Sequence, residues 1–328
     1  MRDPVSTSTA LDVDPSLGFR QDVADGLARR PKRLPAMYLY DPLGSILFEA
    51  IGKLPWYGIT RGEQALLEQC AASIMSELGE VITLVELGSG SGAKLSVLLS
   101  ALDPVEQRAL VHLVDVSATA LRLSSLTLRD YPAVTIVQHE ATYEVGLRAA
   151  LGRREPASPA LVMFLGSNIG NLDPAETHRF LTQVRSQCQR GDQFLLGADL
   201  VKSSADLLLA YDDPLGVTAA FNKNLLARVN RELDADFDLN LFEHRVVWNA
   251  TEARVESYLE SQAEQIVSVR KLGYRVSFAK GERIWTESSY KFDPEGIISI
   301  SEDAGFTRRV QWIEPRSQFA LTLFEVER

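Results

Sequence analysis

Val85-Glu86-Leu87-Gly88-Ser89-Gly90-Ser91-Gly92-Ala93-Lys94 is the stretch whose reading decides the fold. The apolar run Val81–Leu87 that leads into it reads as a buried strand, ending in an acid and then glycines at alternate positions. Glycine at 88 and 90 lets the backbone turn tightly and lets a ligand approach it closely. The spacing is not the dinucleotide fingerprint G-x-G-x-x-G, whose third glycine falls one position later, and an NAD-dependent dehydrogenase is disfavoured on that ground. Taken alone, such a turn fits a nucleotide-like ligand or a plain tight connection equally well.

Outward from the loop, short apolar runs alternate with helical patterns between about 62 and 200. The runs are 83–87, 110–114, 134–137, 161–165 and 194–197; the helical stretches include 63–77, 94–101, 118–129 and 174–188. Strand–helix alternation implies βαβ units and a parallel sheet with right-handed crossovers. A helix at 294–304 and two strands at 309–313 and 320–326 close the chain. Between 201 and 290 the rhythm changes to helices at 205–209 and 216–230, followed by alternating stretches that read as a meander of antiparallel strands. The expected architecture is α/β: a Rossmann-like core at 62–200 and 291–328, interrupted by an α+β insertion. Residues 16–61 join 201–290 in a substrate-binding domain, and 1–15, without an apolar signal region, reads as a disordered tail.

Composition narrows the class. The chain has 328 residues, 45% hydrophobic and 24% charged, with a net charge of −10. It lacks the basic footprint of a nucleic-acid binder, so a small-molecule substrate is expected, with neither nucleic acid nor membrane as partner. No apolar run approaches the roughly 18 residues of a membrane span. The two cysteines, Cys70 and Cys188, give no disulfide framework and no zinc pattern. A cytoplasmic monomer without a metal is the expectation.

The glycine loop resembles the E-x-G-x-G-x-G pattern of S-adenosylmethionine (SAM)-dependent methyltransferases. In open parallel sheets ligands bind beyond the carboxyl ends of the strands. An acid at the end of the next strand, Asp115, suits a ribose diol because it accepts two hydrogen bonds; capping the following helix is the bland alternative, a task Ser117 does better. Thr142 and Tyr143, after the third strand, lie where an adenine is gripped. Lys94 is either a partner for the methionine carboxylate of SAM or a solvated first-turn lysine. With Glu86, Gly88, Gly90 and Gly92 these residues form the expected cofactor set.

The loop after the fourth strand, Gly166-Ser167-Asn168-Ile169-Gly170-Asn171, suits a small polar substrate pressed against the backbone. Phe164–Asn171, Thr60-Arg61-Gly62-Glu63, Ala210-Tyr211-Asp212-Asp213 and Thr286-Glu287-Ser288-Ser289-Tyr290-Lys291-Phe292 together resemble the L-histidine Nα-methyltransferases of ergothioneine biosynthesis, from about residue 20 to the C-terminus. That resemblance implies SAM-dependent trimethylation of the α-amine of histidine to the betaine hercynine. It implies that Asn171 and Tyr211 hold the substrate carboxylate, and that Asn171, the Gly166 carbonyl and, through water, Tyr57 orient the amine. Tyr40 flanks the transfer channel, Phe48 walls it, and Glu287 and Ser289 read the imidazole.

The residues support one of these assignments independently. Glu287 and Ser289 are two apart in a predicted strand and share a face, as Trp285 does in that reading; a solvated polar face is the plain alternative. Departures from the family pattern stand out at three places, one of them Thr142, where some members carry Asp and others Thr. Ser257 occupies a position where the histidine enzymes carry methionine, which leaves room for a bulkier aromatic amino acid such as tryptophan. Trp56-Tyr57-Gly58-Ile59 replaces a Glu-Tyr-Tyr-Pro run. Outside this class, a non-catalytic SAM-binding regulator would keep the glycine loop and Asp115 without needing Asn171, Tyr211 and Glu287 together.

Overall fold

The computed structural model of the chain describes residues 5–7, 15–103, 105, 107–154 and 158–327. In chain order, β1 (Val5–Thr7), α1 (Pro15–Ala28), β2 (Lys32–Arg33), α2 (Pro42–Gly52) and α3 (Gly58–Ser76) come first. Then follow β3 (Val81–Leu87), α4 (Ala93–Leu99), β4 (Arg108–Asp115), α5 (Ala118–Leu128), β5 (Val134–Glu140), α6 (Tyr143–Leu151), β6 (Ala160–Phe164), α7 (Pro174–Gln187) and β7 (Gln193–Asp199). After these come α8 (Ser204–Tyr211), α9 (Val217–Leu233), β8 (Phe242–Asn249), β9 (Arg254–Ser261), β10 (Gln265–Val269), β11 (Tyr274–Phe278) and β12 (Arg283–Tyr290). The last elements are α10 (Pro294–Asp303), β13 (Thr307–Glu314) and β14 (Phe319–Glu325). Of the tail expected to be disordered, 1–4 and 8–14 lie outside the described residues.

The chain divides into two compact units. The first takes in Gly58–Val201 and Lys291–Arg328 with the N-terminal residues through Ala10; its sheet has the order β1-β5-β4-β3-β6-β7-β14-β13. Strands β1 to β7 of this sheet run parallel, and β14 and β13 close it as an antiparallel hairpin. Every residue of β6 and β7 is buried. Strands covered on both faces read as continuous apolar runs, which is why they were legible in the sequence. β3 and β6 are neighbours in the middle of the sheet, so the chain reverses its direction of travel there, and the loops after β3 and β6 leave the sheet side by side. That reversal is the point at which open α/β sheets place ligands.

Helix α3 starts five residues before the expected Glu63. Gly62 lies inside it against the C-terminal segment: a Cβ there would lie 1.9 Å from Ser317 Oγ. Glycine at 58 and 62 lets the helix run close against 317–319 of the same unit.

The second unit, Leu11–Tyr57 with Lys202–Tyr290, holds a four-stranded sheet of order β2-β12-β9-β8 and a separate hairpin, β10-β11. The expected sequential meander is therefore corrected. β9 pairs with β12, not with β10, because the turn at Arg270–Leu272 and left-handed Gly273 fold β10 directly onto β11. Asp41-Pro42-Leu43-Gly44 is a helix start. Asp41 accepts the Gly44 N–H as N-cap of α2, and a Cβ at Gly44 would collide with the Leu39 carbonyl.

Within the first sheet, His112 on β4 and His139 on β5 are buried and stacked, with His112 Nδ1 2.9 Å from His139 Nε2. Burial, reinforced by His139, pushes the His112 pKa from 6.5 down to about 4, and burial lowers that of His139 as well. Both rings therefore fold neutral, and the unfolded chain takes up more protons than the folded one below pH 6.5. Stability is fully present above pH 6.5 and falls as pH drops toward 4. Replacing both by leucine is expected to flatten this fall by about 1–3 kcal/mol, measured as denaturant midpoints across that pH range.

Candidate functional site

The β3 loop is shaped for a close neighbour. Gly88, Gly90 and Gly92 have φ of +77°, +52° and +75°, a region that favours glycine. A Cβ at Gly88 would sit 2.6 Å from Asn168 Nδ2. The loop amides are largely taken: Gly88 and Ser89 donate to the Val114 carbonyl, Gly90 to Asp115 Oδ2 and Gly92 to the Ser89 carbonyl. A phosphate-binding loop turns such amides toward its ligand; here they stabilise the turn itself, which fits a phosphate-free nucleoside better than a dinucleotide.

Asp115 ends β4. One oxygen accepts from Gly90 N–H and the other from Ser117 N–H. Ser117 caps α5 by accepting from Ala120 N–H, so Asp115 does not serve as that cap. Thr142 is exposed at the start of α6, where its hydroxyl makes no capping bond. Tyr143 sets its ring edge-on against Phe164 and Phe180, at 5.0 and 6.0 Å between centroids, and its hydroxyl lies 3.4 Å from the position of a Gly88 Cβ. The ring belongs to the core, and the hydroxyl is the part that meets the loop.

Glu86 is fully buried, and neither oxygen has a hydrogen-bond partner among the described residues. Burial pushes its pKa up to about 8, with Lys94 opposing and Glu63 and Asp115 reinforcing the rise. Lys94 pairs with Glu63 Oε2 at 3.3 Å and is not the solvated lysine of the bland reading. An unpartnered acid close to an ammonium matches a ligand end that carries both charges. These residues therefore fit the zwitterionic amino-acid end of SAM.

The loop after β6 is held from two sides. Glu63, wholly buried on α3, accepts the Gly166 N–H with both oxygens at 2.7 and 2.9 Å. Gly166 and Ser167 are both left-handed, and Ser167 Oγ accepts the Asp199 N–H. Asp199 in turn pairs with buried Lys291 at 3.0 Å. Asn171, half-buried, ends the 3-10 turn Asn168–Asn171. Glu63 escaped the sequence reading as a site residue. Its signal was an acid lying within the apolar stripe Ile59, Glu63, Leu66, Leu67, Cys70 and Ile74, where a charge needs a partner.

In the second unit, a run of ring contacts joins four of the expected residues. Tyr40 meets Phe48 at 5.3 Å, Phe48 meets Tyr57 at 6.4 Å and Tyr57 meets Tyr211 at 6.3 Å. Phe221 on α9, which sequence reasoning missed, packs on Tyr40 and Phe48. Tyr211 and Ser289 share a 2.7 Å hydrogen bond between hydroxyls. His244 is committed: Nδ1 takes a hydrogen bond from Asn222 Nδ2, and Nε2–H donates to the Tyr211 carbonyl. Burial holds its pKa below the usual histidine range.

The register of β9 against β12 places Glu287 directly opposite Ser257 and Ser289 opposite Val255; Val246 of β8 also faces Ser257. Directly paired residues share a face, so Glu287, Ser289, Ser257, Val255 and Val246 line one side. Trp285 does not join them. A bulge between Trp285 and Glu287 adds a residue and turns the indole to the opposite side, against Tyr258 and under Arg254.

Comparison with known proteins follows the geometry. Residues 19–326 match the family described as histidine-specific methyltransferase, SAM-dependent. A histidine N-alpha-methyltransferase of Mycolicibacterium smegmatis is 43% identical over 93% of this chain and 94% of that protein. One of Mycobacterium tuberculosis is 41% identical over 97% and 98%. Among solved structures, the CurJ carbon methyltransferase aligns with a TM-score of 0.50 at 12% identity, over 95% of this chain and 67% of that one. Gly88→Ala is expected to weaken SAM binding roughly tenfold or more and to destabilise the fold by about 1–3 kcal/mol through its forced left-handed backbone. Calorimetry with SAM and a denaturation curve check both; parental SAM affinity would remove the loop from the cofactor site.

Proposed function

The chain belongs to the SAM-dependent histidine-specific methyltransferases, and from that premise we propose that it trimethylates the α-amine of L-histidine to hercynine, the first step of ergothioneine biosynthesis. As an N-methyltransferase it takes its methyl group from SAM. The observation that carries the substrate assignment is the shared face of Glu287 and Ser289 beside Tyr211, with Ser257 directly across from the carboxylate. A carboxylate accepts the N–H of an imidazole, and a hydroxyl donates to or accepts from its second nitrogen. An imidazole, with a donor and an acceptor on its two nitrogens, can engage both groups at once.

The proposed division of labour follows the two units. Lys94 meets the carboxylate of the cofactor's amino-acid end, Glu86 and Asp115 supply acceptors for its ammonium and ribose, and Gly88, Gly90 and Gly92 keep the backbone close. Gly166 and Asn171 orient the substrate amine, and Tyr211 with Asn171 holds its carboxylate. The departing ammonium proton leaves through water near Tyr57. Bound SAM supplies a methyl group activated by its sulfonium. The chain's own contribution is alignment of a nitrogen lone pair with that methyl, the entropic part of catalysis. Three of the four histidines are committed elsewhere: His112 and His139 bond each other in the sheet, and both nitrogens of His244 are occupied. Aromatic faces at Tyr40 and Tyr57 stabilise the growing cation by about 0.5–2 kcal/mol.

The test is mass spectrometry of products from SAM with histidine, tryptophan and tyrosine offered together. Trimethylated histidine is expected to dominate. Asn171→Ala is expected to cut kcat/KM for histidine by about 10–100-fold, the worth of a hydrogen bond to a charged group, while SAM affinity stays within a few-fold; unchanged turnover defeats the assignment. The small buried Ser257 carries the one rival substrate class, a bulkier aromatic amino acid such as tryptophan. Ser257→Met is expected to leave histidine turnover within a few-fold and to remove whatever tryptophan turnover the parent shows. Tryptophan preferred by the parent would overturn the histidine assignment and leave the chemistry standing.

A further inference from the structure

Glu63 has no role in the assignments above, yet it is among the most constrained side chains of the first unit. It is 0% exposed on α3. An isolated buried carboxylate is strongly unfavourable unless it is paired and hydrogen-bonded. Here one carboxylate does both: its two oxygens share the Gly166 N–H at 2.7 and 2.9 Å, and Oε2 lies 3.3 Å from Lys94 Nζ. The surroundings are cut to fit it. A Cβ at Gly197 would lie 2.2 Å from Glu63 Oε1, and a Cβ at Gly166 would lie 2.7 Å from Lys94 Nζ. Glycine at both positions lets acid, lysine and loop backbone come together.

The consequence falls on the direction of the Gly166 carbonyl. Gly166 and Ser167 are consecutive left-handed residues, with φ of +74° and +58°. Such a turn is fixed only if something holds it. Glu63 holds its first amide, and Asp199 N–H, donating 2.9 Å to Ser167 Oγ, holds its second residue. The carbonyl between those two anchors has one direction available.

We propose that Glu63 is a positioning residue for both reactants: through one carboxylate it aims the Gly166 carbonyl at the substrate amine and sets Lys94 for the cofactor's carboxylate. This rests on the roles proposed above for Gly166 and Lys94. It accounts for an acid on the apolar stripe of α3, for glycine at 166 and 197, and for a lysine that is paired although it lies at the edge of a ligand loop.

Three variants separate the two tasks. Glu63→Gln keeps a carbonyl oxygen for the Gly166 N–H and loses the charge facing Lys94. Glu63→Leu loses both. Lys94→Met removes the cation from the other side. By calorimetry with SAM, Glu63→Gln is expected to weaken affinity about tenfold, and the double variant with Lys94→Met to be no worse than Lys94→Met alone, since the two act through one contact. In steady-state assays with saturating SAM, Glu63→Gln is expected to keep kcat for histidine within about threefold, whereas Glu63→Leu loses roughly 30-fold or more in kcat. Additive effects of Glu63→Gln and Lys94→Met on SAM affinity, or a folded Glu63→Leu variant with parental kcat, would overturn the proposal. If Glu63→Leu does not fold, the Gln and Met cycle still decides the Lys94 half. A wild-type enzyme that binds SAM but leaves histidine unmethylated would defeat the substrate assignment instead, and the same cycle would still decide whether Glu63 sets Lys94.

Discussion

The structure depends on the pairing of β3 with β6, which brings Thr83 beside Ala160 and Glu86 beside Met163. Right-handed crossovers carry β4 and β5 to one side and β7 to the other, so the loops after the two central strands must leave the sheet together. The polar groups assigned to this unit gather there: Glu86 and Gly88 on one loop, Gly166 and Asn168 on the other, with Lys94 and Glu63 bracing them. The buried acid is a direct result of that geometry. A backbone N–H emerging at the end of a fully buried strand has no sheet partner and no water, and an acceptor must be brought to it from a packed helix.

The parts of this arrangement that were legible in the sequence were those with a local physical signature. Continuous apolar runs announced the parallel strands. The left-handed conformations of the glycine loop required glycine at 88, 90 and 92. Asp115 followed from strand order. Other parts came only from the family resemblance, because a polar residue such as Asn171, Tyr211 or Glu287 has no periodicity of its own.

What stayed hidden depended on contacts distant in sequence. Glycine at 62, inside α3, answers to Ser317, which sits far along the chain. The pairing of β9 with β12 follows from a hairpin between them that closes on itself. Trp285 was placed on the face of Glu287 by the two-residue period of a regular strand, and a single bulge residue reverses that. Glu63 was quoted within a motif without a task, because its partners, a backbone amide and a lysine, both lie on other elements.

The bulge at Thr286 bears on how such an enzyme changes over generations. Trp285 and Glu287, with Thr286 between them, offer an indole and a carboxylate to opposite sides of the same sheet because the extra residue breaks the two-residue alternation. Inserting or deleting a residue between Glu287 and Ser289 would turn one of them to the other side and break up their shared face. Point substitutions at Val246, Val255 or Ser257 alter the same surface by degrees. Side-chain replacement on this sheet therefore changes the face gradually, whereas a change of length on β12 reorders it at once.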